Sequence, residues 1–266
     1  MDHSAIRSQL PTLVAGHLPR NTHRFKFRVY DDKPPMSSLG FLIDPKPFEG
    51  TVVAQTDSAV IIKVARTQFA VIDKQLATQE PAVGARVEII PYARRDFDGR
   101  RLDEPTEETR CTQEGQPYTV RSVILGGATT KLPIPEPRCP ELAALVRQLQ
   151  EMPAPDGFRR ITHILVDAGA RDFSWVDPGR ADIIRTPPAI SFTVSTNKFR
   201  GRVRLLYERV LDLYAVELHD GDTRVERVSD VYFDGLGEVL ERLIDDGVWR
   251  LIQVRTLLGK SARARH

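Results

Sequence analysis

Cysteine is nearly absent: Cys111 and Cys139 are the only two in 266 residues. They are far apart, form no C-x-x-C pair and have no ligand spacing with a histidine. A disulfide framework and a zinc ribbon are therefore both excluded as organising features. The six histidines, His3, His17, His23, His163, His219 and His266, show no HxH, HxxxH or HExxH spacing, which removes the usual histidine-built metal hydrolase. No apolar run approaches the roughly 20 residues that span a bilayer. The start, MDHSAIRSQL, lacks a cationic flank followed by an apolar stretch, so no signal peptide is expected and the cytoplasm is the expected location. A net excess of one charge sign is lacking too. Lys plus Arg number 38 against 36 Asp plus Glu, a formal charge of +2, so any polyanion recognition must be local.

Nucleotide chemistry is also missing. Gly259-Lys260-Ser261 resembles the end of a phosphate loop, but that loop needs a glycine five residues earlier, where Val254 stands. Only five residues follow Ser261, too few for the helix that cradles phosphate. No serine or cysteine sits in a GxSxG-like context. The expectation is a protein without catalytic residues, cofactor or metal.

What is present is a succession of short β-branched segments, turn clusters and prolines. Residues 1–47 read as an arm with one strand. In THRFKFRVYDD, Phe25, Phe27 and Val29 alternate with Arg24, Lys26 and Arg28. Residues 48–130 read as a small β-barrel-like domain: EGTVVAQT, AVIIKVA, QFAVIDKQL and PAVGARVEIIPYA are four short strands, followed by a hairpin with a turn near Glu114-Gly115. Residues 131–188 form a proline-rich connector. Within it, Leu142, Leu145, Val146 and Leu149 take helical spacing behind Pro140, and Ile161 to Asp167 is compatible with strand or helix. Residues 189–258 form an α+β domain, with a hairpin turn at HDGD 219–222. A helix capped by Asp234 carries Leu236, Val239, Leu240, Leu243 and Ile244 on one face, and WRLIQVRTLL follows as a returning strand. Residues 259–266 are a basic tail. The expected fold class is thus α+β: a small β-barrel-like N-terminal domain, a proline-bounded helical connector, and a C-terminal antiparallel sheet covered by one helix.

Four functional patterns stand out. PYARRDFDGRR, 91–101, sets Arg94, Arg95, Arg100 and Arg101 around Phe97, a combination that could grip phosphate and stack a base. Asp96 and Asp98 could instead neutralise their own neighbours at a charged hairpin tip. The Arg24, Lys26 and Arg28 stripe could track a phosphate backbone or be the wet face of a strand. Trp175, two residues after Phe173, could anchor a protein partner or close a core. Carboxylates offer the fourth pattern. Asp167, Asp172, Asp177 and Asp182 recur every five residues, but Asp-Ala-Gly and Asp-Pro-Gly are turn formers. Glu217 and His219 share one side of a strand beside Glu208, which a metal-dependent nuclease or hydrolase could use, although the customary lysine is missing.

The stretch from Phe48 to Gly99 resembles small β domains of the KfrB type. The cues YARRDFDG, KLPIPEPRCPEL and RTPPAISFTV make the chain similar to accessory proteins of proteobacterial integrative conjugative elements. That resemblance implies a mobile-element context and action on DNA, or on a protein that handles DNA. The expected role is a non-enzymatic accessory or regulatory protein binding nucleic acid through local arginine clusters. The alternative is a protein-interaction module acting on a host or element protein.

Overall fold

The alternation around Phe25 becomes a strand, β1 (Lys26–Tyr30), in the computed structural model, which describes residues 1–257 except 21, 23, 125, 127 and 128. The basic tail and its Gly-Lys-Ser lie outside the described residues. By its contacts the chain divides into two units. The first comprises residues 1–35, 45–93 and those from 250 onward, and the second comprises residues 36–44 and 94–249. The protein is mixed α+β, built mainly from sheets.

In the first unit, α1 (His3–Val14) precedes β1. Asp2 caps it, accepting from the Ser4 and Ala5 amides at 2.8 and 3.3 Å. Its Ile6, Leu10 and Val14 are buried. The sequence predicts only an arm with one strand here; the added helix carries Pro11 within it, ordinarily a helix-breaking residue. The strands β2 (Phe48–Gln55), β3 (Ala59–Ala65), β4 (Gln68–Asp73) and β5 (Arg86–Ile90) follow. The β4 run is buried throughout from Phe69 to Asp73, as a strand covered on both faces must be. Phe69 and Val71 pack with α1 and Ile61, whereas Ala70 and Ile72 pack with Val60, Ile62, Val87 and Ile89. Gly50 is required in β2: a Cβ there would lie 2.6 Å from the Lys63 carbonyl oxygen.

The returning strand, Gln253–Thr256, does not join the C-terminal sheet as its position suggested. It pairs antiparallel with β5, sending Ile252 and Val254 into the first unit's core. The sheet runs β1-β4-β3-β2-β5-final strand. No ladder joins its two ends among the described residues, so the expected barrel is an open sheet. It is curled nonetheless: the rings of Tyr30 and Phe48 are 5.3 Å apart although β1 and β2 are three ladders removed.

The second unit includes a hairpin, β6 (Thr106–Cys111) and β7 (Pro117–Ser122), which forms a two-stranded sheet among the described residues. Then come α2 (Pro140–Glu151), α3 (Ile161–Asp167), β8 (Arg171–Val176), β9 (Ala189–Ser195), β10 (Arg200–Glu208), β11 (Leu213–Asp220), β12 (Thr223–Val231) and α4 (Leu236–Ile244). The five strands form an antiparallel meander, β12-β11-β10-β9-β8. Gly221, at φ 57°, makes the tight β11–β12 turn. One face of the sheet, with Ile190, Phe192, Val203, Leu205, Val216 and Leu218, packs against all three helices rather than one. The connector helix α2 is thus part of this core, through Leu142, Leu145 and Leu149. Asp234 makes no cap bond; Gly235 occupies that position.

A buried cation ties the helices together. Arg159 reaches Asp156 at 2.9 Å, Asp167 at 2.7 Å and Asp245 beyond the end of α4, and lies 3.8 Å over the Trp249 ring. Among the described residues no helix is long and apolar enough to cross a membrane.

Candidate functional site

The arginine-rich stretch at 94–101 divides sharply by environment. Arg94 is 5% exposed, and its Nε and Nη2 donate to Asp44 at 3.1 and 2.9 Å. Its guanidinium also stacks 4.7 Å over Phe158. It is a buried scaffold residue and not a surface cation. Arg101 is held by Asp103 at 2.8 Å and by the Asp44 carbonyl at 3.2 Å. Phe97 meets Phe173 edge-on at 5.2 Å, and Phe173 packs on Phe192 in the core. It is an internal anchor and not a platform for a base. Arg95 and Arg100 remain exposed, Arg95 donating to the Gly99 carbonyl at 2.7 Å. Asp96 does not neutralise these arginines. It accepts the Asp98 and Arg100 amides at 3.0 and 2.8 Å and so shapes the turn.

Arg24, Lys26 and Arg28 are exposed, backed by half-buried Phe25, Phe27 and Val29, and β1 is an edge strand of its sheet. Trp175 is 43% exposed on the edge strand β8 and pairs in register with Ile190. The aspartates spaced five apart are scattered among separate tasks. Asp167 binds Arg159, Asp177 accepts the Arg138 and Cys139 amides, and Asp172 lies beside Arg171 at φ 55°. Among the described residues no group of three His, Cys, Asp or Glu side chains converges as a metal site would.

A further basic surface is one that single-strand patterns do not isolate. It is the face of the β8–β12 sheet opposite the helices. Paired residues in an antiparallel ladder share a face, so the registers stack side chains in rows across the strands. One row reads Arg171, Thr193, Arg202, His219, Arg224 from β8 to β12. The next reads Ser174, Ser191, Arg204, Glu217, Arg227. A third, Val176, Ala189, Leu206, Ala215, closes the face with small and aliphatic groups. Arg200, opposite Ser195, extends the basic end. At about 4.8 Å per strand, each five-strand row spans about 19 Å.

The first row contains no carboxylate. Arg200 and Arg202 make no ion pair among the described residues, so their guanidinium donors are uncommitted. The second row holds one acid, Glu217. Its Oε1 accepts from Arg224 at 2.9 Å and from Arg227, and its Oε2 meets His219 at 3.2 Å. Burial alone would raise the pKa of this carboxyl. Hydrogen bonds from Arg224, His219 and Arg227 prevail and hold it below the usual glutamate range. Arg227 also binds Glu208 at 2.5 Å. Glu217, His219 and Glu208 do not converge on a metal position; Glu217 is surrounded by cations instead. Arg, Ser and Thr all present hydrogen-bond donors here, so the arrangement is suited to holding an anion.

Fold and face together define a two-unit α+β protein with an arginine-laden open sheet. No protein family, curated protein or solved structure matches the chain.

Proposed function

We propose that this chain is a non-enzymatic accessory protein that binds nucleic acid by its phosphate backbone, through the open face of β8–β12. The observation that carries this reading is the carboxylate-free row Arg171, Thr193, Arg202, His219, Arg224. Guanidinium forks match phosphate oxygens geometrically, and serine and threonine hydroxyls add neutral donors. The three rows contain no Phe, Tyr or Trp, so base stacking contributes little and binding is expected to be independent of sequence. A bacterial mobile element, the setting implied by the sequence resemblance, would be a natural context for such a protein.

The test is a mobility shift with short duplexes of unrelated sequence at low salt. Wild-type protein should shift them all alike, and Arg202→Ala with Arg204→Ala should weaken every shift by a similar factor. No shift with wild-type protein refutes the reading.

A protein-interaction reading has one observation of its own. Trp175 is exposed on β8, whose outer edge pairs with no strand among the described residues, and such an edge can accept a further strand. A partner that co-purifies after nuclease treatment and is lost with Trp175→Ala would favour it.

A further inference from the structure

The centre of the basic face is occupied by an anion of the protein's own. Glu217 is 3% exposed. Around its carboxylate stand Arg224 at 2.9 Å, Arg227 on the same oxygen, His219 at 3.2 Å and Arg204 at 4.0 Å. Three guanidinium groups and an imidazole converging on one acidic group form the surroundings a phosphate would receive.

We propose that Glu217 is a built-in phosphate competitor. It takes up the forks of Arg224 and Arg227 and keeps the face partly self-neutralised, so that nucleic acid engages it below its full strength. The inference rests on the reading of this face as a backbone-binding surface. Its physical basis is twofold. Donors bonded to Glu217 are unavailable to an incoming phosphate. A phosphate landing on the outer edges of the same guanidiniums also lies near a buried carboxylate, where repulsion is screened less than between solvated charges. Neither Arg202 nor Arg200 shares this restraint, so these two bind as they stand while Arg224, His219 and Arg227 are held back.

The role predicts a gain rather than a loss. Glutamine keeps the volume of Glu217 and one acceptor oxygen for the arginines, but removes the charge. In the full chain, Glu217→Gln is expected to bind labelled duplex about three- to tenfold more tightly than wild type at low salt, and to lose affinity more steeply as salt rises. Glu217→Ser, which repeats the Ser174 and Ser191 chemistry of the same row, is expected to move affinity in the same direction. Circular dichroism melts establish that each variant is folded. Unchanged or weaker binding by the folded variants, with wild type still binding, overturns the competitor role and leaves the face reading standing. A wild-type chain that binds no duplex at low salt overturns both.

Discussion

Arg94 and Asp44 form a buried two-pronged ion pair, with 5% and 6% of the two residues exposed. The Asp44 carboxylate accepts the Arg94 backbone amide as well, at 2.8 Å. Removing one partner leaves the other charge stranded out of water. Arg94→Ala is therefore expected to destabilise the protein by about 3–5 kcal/mol, read as a lower urea midpoint. Arg94→Lys, which keeps the charge but loses the fork, should also lower the midpoint while leaving nucleic-acid affinity unchanged. A folded Arg94→Lys protein with weakened binding would return this residue to the interface.

His163 makes the fold acid-sensitive. The Arg160 amide donates to its Nδ1 at 2.8 Å, so the neutral ring carries its proton on Nε2, facing Thr130 Oγ1 at 3.1 Å. Burial, followed by the nearby charges of Arg94, Arg159 and Arg160, pushes its pKa down to about 3. The unfolded chain takes up this proton near pH 6.5 and the folded chain only near pH 3. Stability from this group is thus full above pH 6.5 and falls by about 1.4 kcal/mol per pH unit below it. Denaturation midpoints measured from pH 7 to 4 should decline, and His163→Gln should flatten that decline. An equally steep decline in the variant would assign the acid sensitivity elsewhere.

Arg159 balances three carboxylates from separate parts of the second unit. Arg159→Met would leave Asp156, Asp167 and Asp245 facing one another without their shared cation. The expected loss is at least about 3–5 kcal/mol, with a red-shifted emission from Trp249 as its stacking partner is removed. A variant as stable as wild type would show that solvent or rearranged side chains compensate.

The sequence disclosed the strands more readily than their partners. Alternating β-branched residues marked β2 to β5 and β9 to β12, and leucine spacing marked α2 and α4. Helix α3 was ambiguous because Ile161 to Leu165 are all buried, leaving no polar face to set a period. The final strand had the right pattern but not the right sheet, since pairing with β5 is a long-range choice. The same limit hid the basic face. Arg200, Arg202 and Arg204 visibly alternate with Gly201, Val203 and Leu205. Their alignment with Thr193, His219 and Arg224 depends on register, set by the tight turn at Gly221 and by bulges in β11–β12 and β8–β9. Conversely, four arginines in eleven residues drew attention to 91–101, where two of the four serve the scaffold.

Arg95 and Arg100 test that redistribution. Both are exposed, but neither stands in the rows of the β8–β12 face. Arg95→Glu combined with Arg100→Glu is expected to change duplex affinity by less than about threefold, measured by fluorescence anisotropy. A loss matching that of substitutions on the sheet would place the turn in the binding surface.

The central claim is that the open face of β8–β12 grips a phosphate backbone. Its most direct measurement is the dependence of duplex affinity on salt, for wild type and for Arg200→Glu with Arg202→Glu. The account predicts equal affinities for unrelated sequences and a linear fall of log affinity with log salt. It also predicts that the double variant binds at least about tenfold more weakly, with a slope shallower by about two. A wild-type affinity insensitive to salt, or a double variant with wild-type affinity and slope, would contradict it.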